Sequence, residues 1–239
     1  MKLFITKNKT TGDKKAFEII KNQILRKPNS LIGLAVGKST DGLYKLISKD
    51  ASNHPKRWKN GKVFQIDEKL GVHPDFQDSF NYEIRKELKA LLKTLNPENI
   101  FLMDGTKKPQ ITIKEAYSFI KKNKGIDLII LGIGPEHDSH IAYNTTGKSA
   151  INSRIRVVEL HPKVAKNAKA KCGITIGIKE ILECKKALLI AYGKEKAKSL
   201  KLAFNGKVNM KKASASVLQL HENLYVVVDK EAALNLKNI

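Results

Sequence analysis

Residues 126–131 read IDLIIL and run directly into Gly132-Ile133-Gly134. A continuous apolar run of this kind is what a strand buried on both faces requires, and such strands sit in the middle of parallel sheets. The rest of the chain repeats the theme. Further strand-length segments lie at 31–36 (LIGLAV), 62–66, 99–102, 155–160, 187–192 and 224–228, with one mixed apolar segment at 174–182. Helical spacing separates them. It is seen at 16–25, in a stretch carrying Leu43, Leu46 and Ile47, at 113–123 and at about 196–204. Residues 80–95 form the longest of these, with Ile84, Leu88, Leu91, Leu92 and Leu95 on one face. Strands alternating with amphipathic helices predict an α/β fold, a mostly parallel Rossmann-like sheet with helices on both faces. There is no repeat, low-complexity tract or Pro/Gly-rich linker, so residues 1–239 are expected to form a single domain.

Composition narrows the setting. Cys172 and Cys184 are the only cysteines, which rules out a disulfide framework and suits a reducing compartment. No stretch reaches the roughly 18 apolar residues of a membrane span, and the first twenty residues lack a signal-like apolar core. A cytoplasmic protein is the expectation. The charge is less ordinary: 45 Lys and Arg against 23 Asp and Glu give +22. Nearly all the cations are lysines spread along the chain. Arg26, Arg57, Arg85, Arg154 and Arg156 are the only arginines. Base-edge and bidentate phosphate recognition lean on arginine, so a specific nucleic-acid partner is not expected. The excess reads as solvated surface that attracts phosphorylated small molecules. A homo-oligomer stays compatible with the sequence.

Ligands of open α/β sheets bind beyond the carboxyl ends of the strands, where loops meet helix N-termini. Three segments place reactive residues there. Gly37-Lys38-Ser39-Thr40 follows a strand and precedes a helix; its backbone amides, hydroxyls and Lys38 can hold an anion. It lacks the spacing of a P-loop and equally fits an ordinary capping turn. Asp67-Glu68 ends another strand and can serve as a general base or as a helix cap. The third segment runs from Gly132 through Glu136, His137, Asp138 and His140 to Asn144. Here Asp138 and His140 can form a carboxylate–imidazole couple, with a metal site on His137, Asp138 and His140 as the competing reading. His161 and His221 are read as structural.

Taken in this order, the segments resemble the glucosamine-6-phosphate deaminase/isomerase family. Its G-[SG]-T-P-x-x-x-Y turn appears as Gly37-Lys38-Ser39-Thr40 with Tyr44. Its aspartate-glutamate pair, His-Pro and Ser-Tyr appear as Asp67-Glu68, His73-Pro74 and Ser79-Phe80. Its G-x-G-x-D-G-H-I-A-F-N-E block appears as Gly132-Ile133-Gly134, then Asp138-Ser139-His140-Ile141-Ala142-Tyr143-Asn144. Downstream, Ser153-Arg154-Ile155-Arg156, Gly193-Lys194-Glu195-Lys196-Ala197 and the Ser216–His221 stretch resemble T-R-I-K, G-x-x-K-A and S-x-L-Q-x-H. The resemblance implies that Asp67 moves a proton between C1 and C2 of an open-chain sugar phosphate. It implies that His140, oriented by Asp138, opens the ring. Gly37, Lys38, Ser39 and Lys196 would hold the 6-phosphate, and no cofactor is implied.

The sequence departs from the family pattern at several points. The family's glutamate after the asparagine is Thr145, and the glycine of D-G-H is Ser139. Two extra residues fall between Gly134 and Asp138, where the chain has Pro135-Glu136-His137. The family's phosphate-binding arginine has no counterpart. Glu136 is a candidate replacement for the glutamate, and Lys166 or Lys169 for the arginine. Arg154 and Arg156 lie where some relatives bind effectors but are read as surface charges. Three functions follow: an amino-sugar-phosphate deaminase, a 6-phosphogluconolactonase sharing the fold, or a phosphosugar-binding regulatory protein with weakened catalysis. The run from Ile141 to Asn144 favours the first.

Overall fold

A computed structural model describes residues 1–135, 138–162, 165 and 170–237. In chain order its elements begin with β1 (Lys2–Thr6), α1 (Lys9–Arg26), β2 (Leu31–Leu34), α2 (Asp41–Asn53), α3 (Pro55–Trp58) and β3 (Lys62–Gln65). They continue with β4 (Asp67–Lys69), α4 (Phe80–Glu87), α5 (Lys89–Thr94), β5 (Ile100–Phe101), α6 (Pro109–Lys122) and β6 (Leu128–Leu131). The last are β7 (Arg156–Glu159), β8 (Cys172–Thr175), α7 (Ile178–Glu183), β9 (Ala187–Ala191), α8 (Ala197–Phe204) and β10 (Leu224–Asp229).

Seven strands form one parallel sheet in the order β1-β10-β9-β6-β2-β3-β5. The apolar run at 128–131 is at its centre, between β2 and β9, and every residue of β6 is buried. Alternation along β6 shares its side chains between the two faces. Leu128 and Ile130 pack with Ile20, Ile24, Leu43, Ile47, Ile84 and Leu88, from α1, α2, α4 and the α4–α5 junction. Ile129 and Leu131 pack with Ala116, Ile178, Ile181, Leu200 and Phe204, from α6, α7 and α8. The predicted α/β class with helices on both faces is the observed one.

Several boundaries differ from the sequence-based expectation. The edge strand β1 was not expected; KLFIT offers little apolar pattern, and the strand exists because it pairs with β10. Helix α1 starts seven residues before the expected Ala16. Asn8 caps it, its side chain accepting from the Thr11 amide at 3.0 Å while Thr11 Oγ1 accepts from the Asn8 amide at 3.1 Å. The long helix expected at 80–95 is broken at Leu88, whose φ of −104° and ψ of 23° leave helical geometry. Leu88 nevertheless stays fully buried, so the apolar face survives the break. The 174–182 segment divides into β8 and α7.

The most consequential difference concerns Asp67 and Glu68. They do not extend the strand at 62–66. The chain leaves the large sheet after Gln65, and Asp67–Lys69 becomes β4 of a second, antiparallel sheet in the order β4-β8-β7. This small sheet lies beyond the carboxyl end of β3. No helix among the described residues is long and apolar enough to cross a membrane.

Candidate functional site

Because the seven strands are parallel, their carboxyl ends share one edge of the sheet. The segments after β2, β3, β6 and β9 leave from that edge, and they carry the seven described residues that the family resemblance assigns to catalysis and phosphate binding. Gly37, Lys38 and Ser39 lie between β2 and α2, Asp67 just beyond β3, Asp138 and His140 beyond β6, and Lys196 beyond β9.

Asp67 and Glu68 are chain neighbours, and the alternation of a strand sends their side chains to opposite faces of β4. Glu68 is fully buried and fully engaged. Its carboxylate accepts from Gln65 Nε2 at 3.0 Å, from Ser79 Oγ at 2.8 Å and from the amides of Lys69, Phe80 and Asn81 at 2.8–3.0 Å. The last two amides open α4, so Glu68 is the helix cap that the pair could have been. Asp67 is different. It is only 5 % exposed, and its Oδ1 has no hydrogen-bond partner among the described residues. Burial first, and then the charge of Glu68, push its carboxyl up to about 8, with Lys69 opposing. A carboxyl held this way is available to take up and return a proton near neutral pH.

Beyond β6 the chain turns tightly. Asp138 Oδ2 lies 2.7 Å from His140 Nδ1, so the carboxylate fixes the imidazole's orientation and leaves Nε2 to exchange protons. Asp138 Oδ1 accepts the Thr146 amide at 2.8 Å, and Thr146 Oγ1 donates to the Asp138 carbonyl. Burial alone would raise the Asp138 pKa. The bonds from His140 and Thr146 outweigh it and hold the carboxyl below its ordinary value. Gly134 makes room for the ring: its amide donates to the His140 carbonyl at 2.8 Å, and a Cβ there would lie 2.5 Å from His140 Nδ1. The substitution of Ser139 for the family's glycine leaves the turn in place. Ser139 adopts a φ of 43°, a left-handed conformation that costs a non-glycine residue roughly 1–2 kcal/mol.

The Asp138–His140 couple was legible in the sequence, but the contacts of Thr146 to Asp138 were missed. The only signal was a second hydroxyl directly after Thr145. Thr145 itself donates its amide to the Tyr143 carbonyl at 3.0 Å and brings no charge. Asn144 is fully buried, its Nδ2 donating to the Ile141 and Ile176 carbonyls and its Oδ1 accepting from Arg156 at 3.1 Å. Arg156, read from sequence as a surface charge, is half-buried and bonds Ser149 Oγ as well. Arg154 matches that reading better, bridging Glu180 and Glu183 with its side chain 43 % exposed. His221 is structural, as expected. Its Nδ1 accepts the Asn223 amide, and its Nε2 lies 3.0 Å from the Cys184 carbonyl.

On the other side of the site, the turn after β2 closes with the Thr40 amide and hydroxyl both donating to the Gly37 carbonyl at 2.8 Å. Lys38 is exposed, Ser39 half-buried, and α2 begins at Asp41. Tyr44 is buried beneath, donating to the Ala35 carbonyl. Lys196 Nζ donates to the Ile133 carbonyl at 2.8 Å, which ties it to the loop bearing Asp138 and His140. Burial lowers the Lys196 pKa; Glu195 opposes this and the charge of Lys38 adds to it. Two cations therefore sit within electrostatic reach of each other beside a helix N-terminus, an arrangement that an anion would relieve. Glu136, Lys166, Lys169 and His137, each named above as a candidate, lie outside the described residues. Among the described residues no three His, Cys, Asp or Glu side chains are grouped to hold a metal ion.

Comparison with known proteins shows what the whole chain is similar to. The family model described as glucosamine-6-phosphate isomerases/6-phosphogluconolactonase matches residues 10–226. A glucosamine-6-phosphate deaminase from Clostridium botulinum (strain Langeland) is 33 % identical over 247 residues, covering 99 % of both chains. One from Thermoanaerobacter sp. (strain X514) is also 33 % identical, covering 98 % of this chain and 94 % of its own. Among solved structures, a monomeric glucosamine-6-phosphate deaminase superposes with a TM-score of 0.90 at 24 % identity, covering 99 % of this chain and all of its own. The 6-phosphogluconolactonase from Trypanosoma cruzi shares the fold with a TM-score of 0.80 at 20 % identity, covering 99 % and 97 %.

Proposed function

Since the chain belongs to the glucosamine-6-phosphate isomerase/6-phosphogluconolactonase family, we propose that it is a glucosamine-6-phosphate deaminase, converting glucosamine 6-phosphate and water to fructose 6-phosphate and ammonia. The observation that carries this choice within the family is Asp67. Opening a lactone requires an activated water. Converting an aldose to a ketose requires in addition a group that takes the proton from C2 and returns it to C1. A buried carboxyl pushed up to about 8, with one oxygen free of partners, has the proton affinity for that exchange. Names of the full-length relatives support the same reading.

In this mechanism the turn at Gly37–Ser39 and the ammonium groups of Lys38 and Lys196 receive the 6-phosphate. His140 carries a proton at the ring oxygen as the ring opens, held in position by Asp138. Asp67 then takes the C2 proton, giving an enolamine, and returns it to C1. Water adds to the resulting C2 imine, and ammonia leaves. The carboxyl must be ionised to begin, so turnover rises with pH until Asp67 is deprotonated.

A lactonase is the second reading. It is favoured by the Asp138–His140 couple, which can equally activate a water, and by the fold shared with solved lactonases. The test measures ammonia release and fructose 6-phosphate formation separately, with 6-phosphogluconolactone hydrolysis as the alternative assay. Both products from the wild type and neither from Asp67→Asn establish the deaminase. Lactone hydrolysis that survives Asp67→Asn, without ammonia release, replaces it by the second reading.

A further inference from the structure

Asp67 Oδ1 has no hydrogen-bond partner among the described residues, so that oxygen is placed by the backbone that carries it. The backbone here crosses between two sheets. The Ile66 amide donates to the Leu34 carbonyl at 3.2 Å on the large-sheet side, and the Ile66 carbonyl accepts the Ile176 amide at 2.7 Å on the small-sheet side. Further along, the Leu70 amide donates to the Cys172 carbonyl at 2.9 Å. Antiparallel strands exchange such bonds at every second residue. With Ile66 facing Ile176 and Leu70 facing Cys172, Glu68 and Ile174 are the bonded pair between them. Asp67 and Thr175 are then a pair without ladder bonds. β4 is also the edge of its sheet. The main-chain carbonyl of Asp67 therefore points away from β8, where the sheet offers it no donor.

The donor is a side chain, that of Gln65 at the end of β3. Its Nε2 donates to the Asp67 carbonyl at 2.8 Å and to Glu68 Oε2 at 3.0 Å, and its Oε1 accepts the Met103 amide at 2.9 Å. These partners fix which way the amide faces, since the nitrogen meets two acceptors and the oxygen a donor. Gln65 is fully buried. Asn81 takes the other polar atom of Met103, its Nδ2 donating to the Met103 carbonyl at 2.8 Å, and its Oδ1 accepts from Arg85. Of these two buried amides, Gln65 is the one that bonds Asp67.

We propose that Gln65 is a positioning residue for Asp67, its amide holding the Asp67 carbonyl so that the carboxyl meets the sugar carbons at a fixed place. This rests on Asp67 being the base of the proposed reaction. The same amide ties the crossing to Met103 beyond β5 and, through Glu68, to the amides that open α4. The base is thereby fixed relative to the large sheet, whose loops hold the substrate. Without Gln65 the Asp67 carbonyl loses its donor, and a misplacement of about 1 Å at a reacting group costs on the order of 10²-fold in rate. The 6-phosphate is received by other segments, so the loss should fall on kcat and leave KM in place.

Two variants separate positioning from the mere loss of buried hydrogen bonds. Gln65→Met keeps the length of the side chain and removes its amide. Asn81→Leu removes the companion amide and leaves the Asp67 carbonyl bonded. Crystal structures of wild type and both variants read the place of Asp67, and kinetics with glucosamine 6-phosphate and its C2-deuterated form read the proton transfer. Gln65→Met should move the Asp67 carboxyl by about 0.5 Å or more, lower kcat by about 10–100-fold and leave KM within about twofold. Its deuterium isotope effect on kcat should exceed that of the wild type. Asn81→Leu should lower the melting temperature while keeping the wild-type kcat and isotope effect. If Gln65→Met does not fold, Gln65→Glu, which keeps the acceptor for Met103 and loses the donor to Asp67, carries the same expectations. An unmoved Asp67 carboxyl overturns the proposal, as does an unchanged kcat, a loss carried by KM, or an equal loss of kcat in Asn81→Leu. A wild type that does not turn over glucosamine 6-phosphate overturns the deaminase alone, because the crystal structures still decide whether Gln65 places Asp67.

Discussion

The strand bearing Asp67 and the loop bearing Asp138 treat one side chain in opposite ways. Both aspartates are at most 5 % exposed, so desolvation weighs against ionisation in both. At Asp138 the loop supplies a histidine and a backbone amide, and the carboxyl ends below its ordinary value. At Asp67 the strand supplies no partner to Oδ1 and places a second carboxylate next door, and the carboxyl rises to about 8. Burial alone therefore does not determine what a carboxylate can do; the donors around it decide whether it is a fixed charge or a proton carrier.

Breaking the comparison at Asp67 has the largest expected effect. Asp67→Asn should lower kcat for glucosamine 6-phosphate by about 10²–10⁴-fold, the usual range for a general base. It should also stabilise the fold, with a sign fixed by the raised pKa. Asp67 favours folding when protonated, and that contribution is lost as pH rises from its unfolded value near 3.8 through about 8. Thermal melts at pH 9 should show the variant above wild type by roughly 5 °C or more, and melts at pH 4 should nearly coincide. A variant that is inactive and also less stable at pH 9 would mean that Asp67 is a structural anion.

Asp138→Asn probes the other side and should do the reverse. Turnover falls by about 10²-fold as His140 loses its orienting charge, and the fold loses about 1–3 kcal/mol at pH 7. The wild-type contribution is present above the unfolded aspartate range and disappears as pH falls through the lowered folded value. Chemical denaturation at pH 7 and pH 3 checks both arms.

The cationic side gives a smaller difference. Lys196→Ala should raise KM by about tenfold or more, since its ammonium is half-buried and fixed by the Ile133 carbonyl. Lys38→Ala, at an exposed position, should cost a few-fold that fades in high salt. Steady-state kinetics at two ionic strengths separates them. Thr146→Val has the smallest expected effect, a few-fold loss in kcat restored by Thr146→Ser. It removes the bond to the Asp138 carbonyl and the one accepted from the Ser214 amide, while the amide bond to the carboxylate remains.

How much of this was legible in the sequence follows from the range of the interactions. The run at 126–131 announced the central strand because burial on both faces leaves no room for alternation. Asp138 and His140 were found because their pairing is local, two residues apart in one turn. The motif order also brought out Gly37, Lys38, Ser39, Asp67 and Lys196. The edge strand β1 was invisible because its pairing partner, β10, lies more than two hundred residues away. Arg156 looked like surface for a similar reason, since Asn144 and Ser149 reach it only through the folded loop.

The sequence by itself determined the layer order, the family and the residue types offered to the reaction, because hydrophobic periodicity and short motifs are written in neighbouring residues. Position at a strand end left Asp67 and Glu68 an undivided pair, cap or base, and the family resemblance implied the base for Asp67. Only the tertiary structure gave the two carboxylates different surroundings. It swung β4 out of the parallel sheet, gave Glu68 the α4 amides and left Asp67 Oδ1 without a partner. A carboxylate's proton affinity is set by desolvation and by the dipoles that surround it, and those come from segments distant in sequence.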